Sequence, residues 1–175
     1  MKKVVFILLL AGLVATGAFA QQGWGVGAFG TFGGSFTEGS VGSGGALSLK
    51  APTLPMYWGI SFSAGSNHMN LGLSADYPII NGVLVSDVGL GWYVQGGLYG
   101  KFATGTNYTA LGAGARLPIG LNLRLPSIRF LEFFLSAVPN VGIYTGNFSG
   151  NNSMDIRFDS GWAGEIGFRV WLSYL

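Results

Sequence analysis

The stretch LGAGARLPIGLNL, residues 111–123, decides the fold class of this chain. Its odd-numbered positions are apolar, whereas its even-numbered positions hold glycine, arginine, proline and asparagine. Successive side chains of a β-strand point to opposite faces of the sheet, so this alternation predicts a strand with one apolar face and one small or polar face.

The same period of two recurs along most of the chain. We predict eight strands, over residues 23–32, 45–51, 56–64, 69–77, 92–102, 111–123, 131–137 and 162–174. Loops are expected at 33–44, 65–68, 103–107 and 146–154, and turns at 52–55, 80–89 and 125–127. This order predicts an up-and-down meander with both termini at the end that carries the turns.

The placement of the charged residues indicates which face meets lipid. Only 9% of the 175 residues are charged, against roughly a quarter in soluble proteins. A soluble sandwich or barrel would carry many charges on its outer face, whereas here the strand charges lie opposite the apolar face. They are Lys50, Asp76, Lys101, Arg116, Arg124, Glu132, Asp159, Glu165 and Arg169.

This arrangement is typical of a membrane barrel, because a charge facing the bilayer midplane costs about 2–4 kcal/mol. Strands in a bilayer must also close into a barrel so that every backbone group is paired. We therefore predict an all-β, eight-stranded, antiparallel up-and-down transmembrane β-barrel whose charges form a network in the lumen. Five aromatic residues on the apolar face are predicted to form an interfacial girdle at the turn end: Trp24, Trp58, Tyr77, Trp92 and Tyr174.

The N-terminal segment reads as an export signal. Residues 1–20 combine two lysines, an apolar stretch and a small-x-small site at Ala18-Phe19-Ala20. An uncleaved anchor is the alternative, but the apolar run is short for a membrane span. We expect a signal peptide over 1–20, a barrel domain over 21–175 and a location in the outer membrane.

Composition excludes several functional classes. The chain has no cysteine, which rules out disulfide scaffolds and thiol catalysis. Without Lys2 and Lys3, seven basic residues face seven acidic ones, so no basic patch indicates nucleic acid as a partner. The segment Gly25–Gly30 fits G-x-G-x-x-G, but it lies within a strand, where a nucleotide fingerprint is not expected.

Several segments resemble a known family. Residues 92–102 (WYVQGGLYGKF), 111–124, 131–139 (LEFFLSAVP) and 161–172 (GWAGEIGFRVWL) are similar to small OmpA-type outer-membrane barrels, above all to short members of the kind found in spirochaetes. The resemblance implies eight strands, no cofactor, and assembly by periplasmic chaperones and the barrel-assembly machinery. Members commonly end in an aromatic residue, whereas here Leu175 follows Tyr174.

We expect a non-enzymatic barrel with a structural or surface-interaction role, embedded in outer-membrane lipid and plugged by internal salt bridges. A narrow, low-conductance pore is the alternative. A lipid-modifying enzyme is a third class, with His68 beside Ser66 as its only candidate centre. The loops 33–44 and 145–155 offer the surface for an extracellular ligand. Within the lumen, Glu132 is expected to lie opposite Gly120 and to pair with Arg116 or Arg124, and a base from across the lumen is the alternative partner.

Overall fold

The computed structural model describes residues 23–35, 41–65, 68–106, 108–147 and 155–174. The strands are β1 (Gly25–Ser35), β2 (Val41–Lys50), β3 (Tyr57–Gly65), β4 (His68–Val85), β5 (Leu90–Gly105), β6 (Tyr108–Arg116), β7 (Ile119–Leu123), β8 (Leu131–Asn147) and β9 (Asp155–Trp171), followed by a 3-10 turn over Leu172–Tyr174. The described residues include no helix long and apolar enough to cross a bilayer. The predicted signal peptide lies outside them, as do residues 36–40 and 148–154 of the two longest predicted loops. The predicted loop 33–44 is too long, because residues 33–35 belong to β1 and residues 41–44 to β2.

β6 and β7 act as one strand of the sheet. Both pair with β5 on one side and with β8 on the other, in a single continuous register. The interruption falls at Leu117 and Pro118, where proline supplies no N–H to the ladder. Hydrogen bonds to both neighbouring strands nevertheless continue through the interruption. The backbone amide of Gln95 donates to the Pro118 carbonyl at 2.8 Å, and the backbone amide of Leu117 donates to the Pro139 carbonyl at 3.0 Å.

The sheet closes into a ring through β1 and β9, which pair from Gly25–Trp171 to Ser35–Gly161. With β6 and β7 counted together, the described residues form an eight-stranded antiparallel barrel in which each strand lies beside its neighbours in sequence. The predicted up-and-down barrel is confirmed. We call the end with the β2–β3, β4–β5 and β7–β8 connections the turn end, and the opposite end the loop end.

The strands are staggered by ten residues around the ring. A path of directly paired residues that leaves β1 at Gly25 returns to β1 at Ser35, ten residues further along the chain. On the way it passes through Lys50, Tyr57, Asp76, Gly97, Arg116, Asn140 and Gly161. For a rise of about 3.3 Å per residue and a strand spacing of about 4.7 Å, this stagger tilts the strands by about 40°. An eight-stranded barrel of this kind has an interior that its own side chains fill.

The two faces of each strand differ as the alternation predicts. On β8, Leu135 and Ile143 are 49% and 58% exposed, whereas Ser136 and Val138 between them are buried. The exposed set across the barrel is dominated by leucine, isoleucine, valine and phenylalanine. The exterior is thus an apolar surface, and the interior holds the charged residues together with small and aromatic ones.

The predicted turn over residues 80–89 is too long. β4 continues to Val85, and the turn is confined to residues 86–89, where Gly89 adopts φ +67°. Asn81-Gly82 has the composition of a turn, but both residues pair with β5. A register shift between Pro78 and Ile80 accommodates the extra residue as a β-bulge.

Candidate functional site in the barrel lumen

Glu132 on β8 is the centre of a buried cluster near the turn end. Its Oε2 accepts hydrogen bonds from Arg124 Nη2 at 2.8 Å and from Trp171 Nε1 at 2.6 Å, and its Oε1 accepts one from Arg169 Nη1 at 3.3 Å. Glu132 is 4% exposed and Trp171 is fully buried. We call these four residues the Glu132 cluster. Three donors to one carboxylate offset much of the cost of burying its charge.

Aromatic rings line both guanidinium groups of this cluster. Arg169 Cζ lies 4.6 Å from the ring centroid of Tyr57 and 4.8 Å from that of Phe134. Arg124 Cζ lies 4.9 Å from the Trp171 ring. These distances are within the range of cation–π attraction, which strengthens where water is excluded. The arginines are therefore held by rings as well as by the carboxylate.

Arg116 on β6 forms a second group, the Arg116 cluster. Its Nε lies 3.0 Å from Asp76 Oδ1, and its Nη2 donates to Glu165 Oε1 at 2.7 Å. Asp76 is on β4 and Glu165 on β9, four positions apart in the eight-stranded ring and so on opposite walls. One arginine therefore bridges the width of the lumen.

The remaining predicted lumen charges among the described residues form no salt bridge with these clusters, although the Lys50 ammonium lies 5.8 Å from the ring centroid of Tyr57. Lys50 is almost fully buried. Its Nζ donates one hydrogen bond to the Ala51 carbonyl at 2.9 Å and another to the Leu54 carbonyl. Asp159 accepts a hydrogen bond from Ser35 at the loop end. Among the described residues, neither Lys101 nor Asp159 is joined to the Glu132 or Arg116 cluster. Lys50 caps the β2–β3 turn rather than pairing with an acid.

The expected register of Glu132 is wrong. Gly120 lies opposite Ser136, and Leu123 opposite Phe133, which brings Arg124 beside Glu132. The cause is the β7–β8 connection, in which two consecutive turns, Leu125–Ile128 and Ile128–Leu131, replace the expected three-residue turn. Arg116 does not contact Glu132 and binds Asp76 and Glu165 instead.

Four of the five predicted girdle residues lie where the alternation places them. Trp24 is exposed, and Trp58, Tyr77 and Trp92 are half-buried at outward positions. Tyr174 does not continue the outer face of β9, because the strand ends at Trp171 and a 3-10 turn follows. Its ring centroid lies 5.7 Å from Arg124 Cζ. Tyr174, which is 49% exposed, therefore also contacts the end of the lumen cluster.

Sequence reasoning missed the aromatic members of the site: Tyr57, Phe134 and Trp171. The alternation along β9 does indicate Trp171, because this residue lies two positions after Arg169 and therefore faces inward. The inward position of Trp171 was not predicted because aromatic residues near a barrel end ordinarily belong to the lipid interface. Only the pairing of β9 with β8 places Trp171 beside Glu132.

A cavity of about 70 Å³ adjoins both clusters. Its lining includes the acidic groups of Asp76, Glu132 and Glu165 and the polar side chains of Tyr93, Gln95 and Asn122. This volume holds a few water molecules and is far below that of a metabolite pocket. The lumen thus has room for small solvent species beside its ion pairs.

Candidate centres of other kinds have less support. The described residues contain no group of three or more His, Cys, Asp or Glu that could hold a metal. His68 begins β4, and Ser66 lies outside the described residues.

Replacement of Trp171 by phenylalanine tests the hydrogen bond to Glu132 separately from ring packing. The phenyl ring retains most of the contact with Arg124 but donates no hydrogen bond. A bond to a charged group contributes about 1.5–3 kcal/mol, so we expect a loss of about 2 kcal/mol in the free energy of unfolding from lipid vesicles. Trp92→Phe, on the outer face, is the control, and equal losses in both variants would contradict the assigned role of Trp171.

Comparison with known proteins adds one structural likeness. No model of a protein family matches the chain, and no curated protein matches it in sequence. The crystal structure of Neisserial surface protein A is similar to this chain with a TM-score of 0.47 and 12% sequence identity, covering 85% of this chain and 97% of that chain.

Proposed function

We propose that this protein is a non-enzymatic outer-membrane β-barrel with a structural or surface-interaction role, whose lumen is plugged by its two charge clusters. We further propose that it is a short, spirochaetal-type member of the small OmpA-like barrels. In this proposal residues 1–20 direct export and are removed after Ala20, and periplasmic chaperones and the barrel-assembly machinery insert the chain. An extracellular ligand would bind at the loops 33–44 and 145–155.

The exterior of the barrel supports its placement in a membrane. Leu73, Leu98 and Ile166 lie on three different strands and are 52%, 68% and 58% exposed. Soluble monomers rarely expose contiguous apolar patches of more than a few hundred Å², whereas lipid requires such a surface. Closure of the ring also leaves no open sheet edge along the paired β1 and β9, as the bilayer core demands.

The main observation that supports a plugged lumen is the bridge that Arg116 forms between opposite walls of the barrel. Its contacts with Asp76 and Glu165 cross the lumen, and the Glu132 cluster lies nearer the turn end. An ion passing along the barrel would have to displace both clusters, each of which is largely desolvated. Breaking a buried ion pair costs about 3–5 kcal/mol, which favours a closed lumen.

Single-channel recording in planar bilayers tests this function. The wild-type barrel is expected to give no resolved conductance steps. Arg116→Gln removes the cross-lumen bridge and leaves Asp76 and Glu165 without their shared base, so openings are expected in this variant. Arg129→Gln, which changes an arginine in the turn before β8, is the control and should remain closed. Conductance steps in the wild type equal to those of Arg116→Gln would refute the plug.

A narrow pore for ions or small solutes is the second candidate. It is favoured by the cavity of about 70 Å³ that adjoins both clusters. The same recordings distinguish the two functions, since a pore predicts steady conductance in the wild type.

The proposed location and maturation have their own test. We expect the protein in the outer-membrane fraction, with a mature chain that begins at Gln21. N-terminal sequencing of the extracted protein checks the cleavage site. A chain that retains Met1, or recovery from the soluble periplasm, would contradict this expectation.

A further inference from the structure

The two contacts that Arg116 makes with opposite walls differ in quality. On β9, Arg116 Nη2 donates to Glu165 Oε1 at 2.7 Å, and Glu165 Oε2 accepts a second hydrogen bond from Ser136 at 3.5 Å. On β4, Arg116 Nε lies 3.0 Å from Asp76 Oδ1, but the contact is not aligned as a hydrogen bond, and neither atom has another hydrogen-bond partner among the described residues. Asp76 is only 7% exposed. Its carboxylate has therefore lost its hydration without gaining aligned donors, and the contact with Asp76 is the weaker of the two.

The charges around Asp76 leave it replaceable as a partner. The charged groups that face it come from β6 and β9: Arg116, Glu165 and Arg169. Its direct partners in the sheet, Tyr57 on β3 and Gly97 on β5, carry no charge. If Asp76 became neutral, Arg116 would still be paired with Glu165, and Arg169 with Glu132. No buried base would then be left without an acid, which is the costly outcome in a lumen of this kind.

The cavity of about 70 Å³ gives Asp76 a route to solvent and free space beside it. Its lining follows the β4 wall from Ser74 through Asp76 and Pro78 to Asn81. Asn81 is also exposed to solvent near the turn end. The cavity thus runs from the weaker contact of Arg116 toward the turn end, along the wall opposite the better contact with Glu165.

We propose that Asp76 is the acid-operated release point of the plug, an inference that rests on the closed lumen of the proposed function. A proton that enters through the cavity binds a carboxylate oxygen of Asp76 and removes its charge, and with it the attraction for Arg116. Arg116 then remains with Glu165 on β9 and leaves the β4 wall, where the cavity already provides space. The lumen opens along β4 in acid and closes again when the proton leaves.

Single-channel recording in planar bilayers at two pH values tests this gate. The wild-type barrel is expected to stay closed at about pH 7.5. At about pH 4.5 its open probability should rise about tenfold, since carboxyl groups titrate over this span whereas lysine and arginine do not. Circular dichroism in acid, and recordings after a return to the starting pH, check that the barrel stays folded and that opening is reversible. A folded wild type that stays closed in acid would overturn the proposal.

Asp76→Asn makes the result specific to this carboxyl. Asparagine has nearly the shape of a protonated aspartate and no charge at either pH, so this variant should open at about pH 7.5 and respond little to acid. Asp87→Asn makes the same change in an exposed turn, and His68→Gln removes the single histidine of the chain. Both controls should keep the acid response of the wild type. A full acid response that survives in Asp76→Asn would also overturn the proposal.

The two pH values separate this inference from the plug itself. Conductance of the wild type at about pH 7.5 reports on the plug, whereas the difference between the two pH values reports on Asp76. A barrel that is closed at both values would keep the plug and lose the gate. The wild-type recordings decide this even if Asp76→Asn does not fold.

Discussion

Replacement of Glu132 by glutamine is expected to destabilise the barrel by about 3–5 kcal/mol, the cost of leaving a buried charge without its partner. The carboxylate is the shared acceptor of Arg124 and Arg169, at 2.8 Å and 3.3 Å. Glutamine retains one oxygen for Trp171 Nε1 but brings no negative charge, so the guanidinium groups of Arg124 and Arg169 lose the one acid that binds them both directly. Unfolding by denaturant in lipid vesicles, followed by tryptophan fluorescence, measures the loss.

Asp87→Asn is the matched control, since it makes the same chemical change in an exposed turn, where the carboxylate accepts a bond from Ser86 at 3.2 Å. An exposed site of this kind should change stability by less than about 0.5 kcal/mol. If Glu132→Gln were as mild as the control, the carboxylate would be solvated and the lumen wetter than the burial of Glu132 indicates.

Ala113→Arg should cost about 2–4 kcal/mol and impair folding into a bilayer. Ala113 lies at an outward position in the middle of β6, between Gly100 and Ile143 on the neighbouring strands. An arginine there has to face the acyl chains, and the depth of the site prevents its side chain from reaching water easily. The yield of folded, heat-modifiable protein and its denaturation midpoint in vesicles measure the effect.

Thr109→Arg provides the control on the same strand and the same face, four residues nearer the loop end. A charge close to the interface costs only about 0–1 kcal/mol, so this variant should fold nearly as well as the wild type. Equal losses at the two sites would show that the outer face of β6 does not cross the bilayer as proposed.

The sequence determined the class of fold and the face on which each strand residue lies. Alternation over residues 111–123 placed Arg116 inward and Ala113 outward, and the same rule placed Glu132, Glu165 and Arg169 in the lumen. This information is local, because the side-chain period of a strand is two whatever its partner is. It failed at Tyr174, where the chain leaves the strand for a 3-10 turn.

Only the tertiary structure decided which of these residues meet. A register shift by an even number of residues leaves every side chain on its own face, so alternation cannot distinguish Gly120 opposite Glu132 from Gly120 opposite Ser136, as observed. That choice was made by the two turns between β7 and β8. The ten-residue stagger and the closure of the ring then brought Asp76 and Glu165 to Arg116 from opposite walls, because distance across a lumen depends on how all the strands are arranged and on no single segment of sequence.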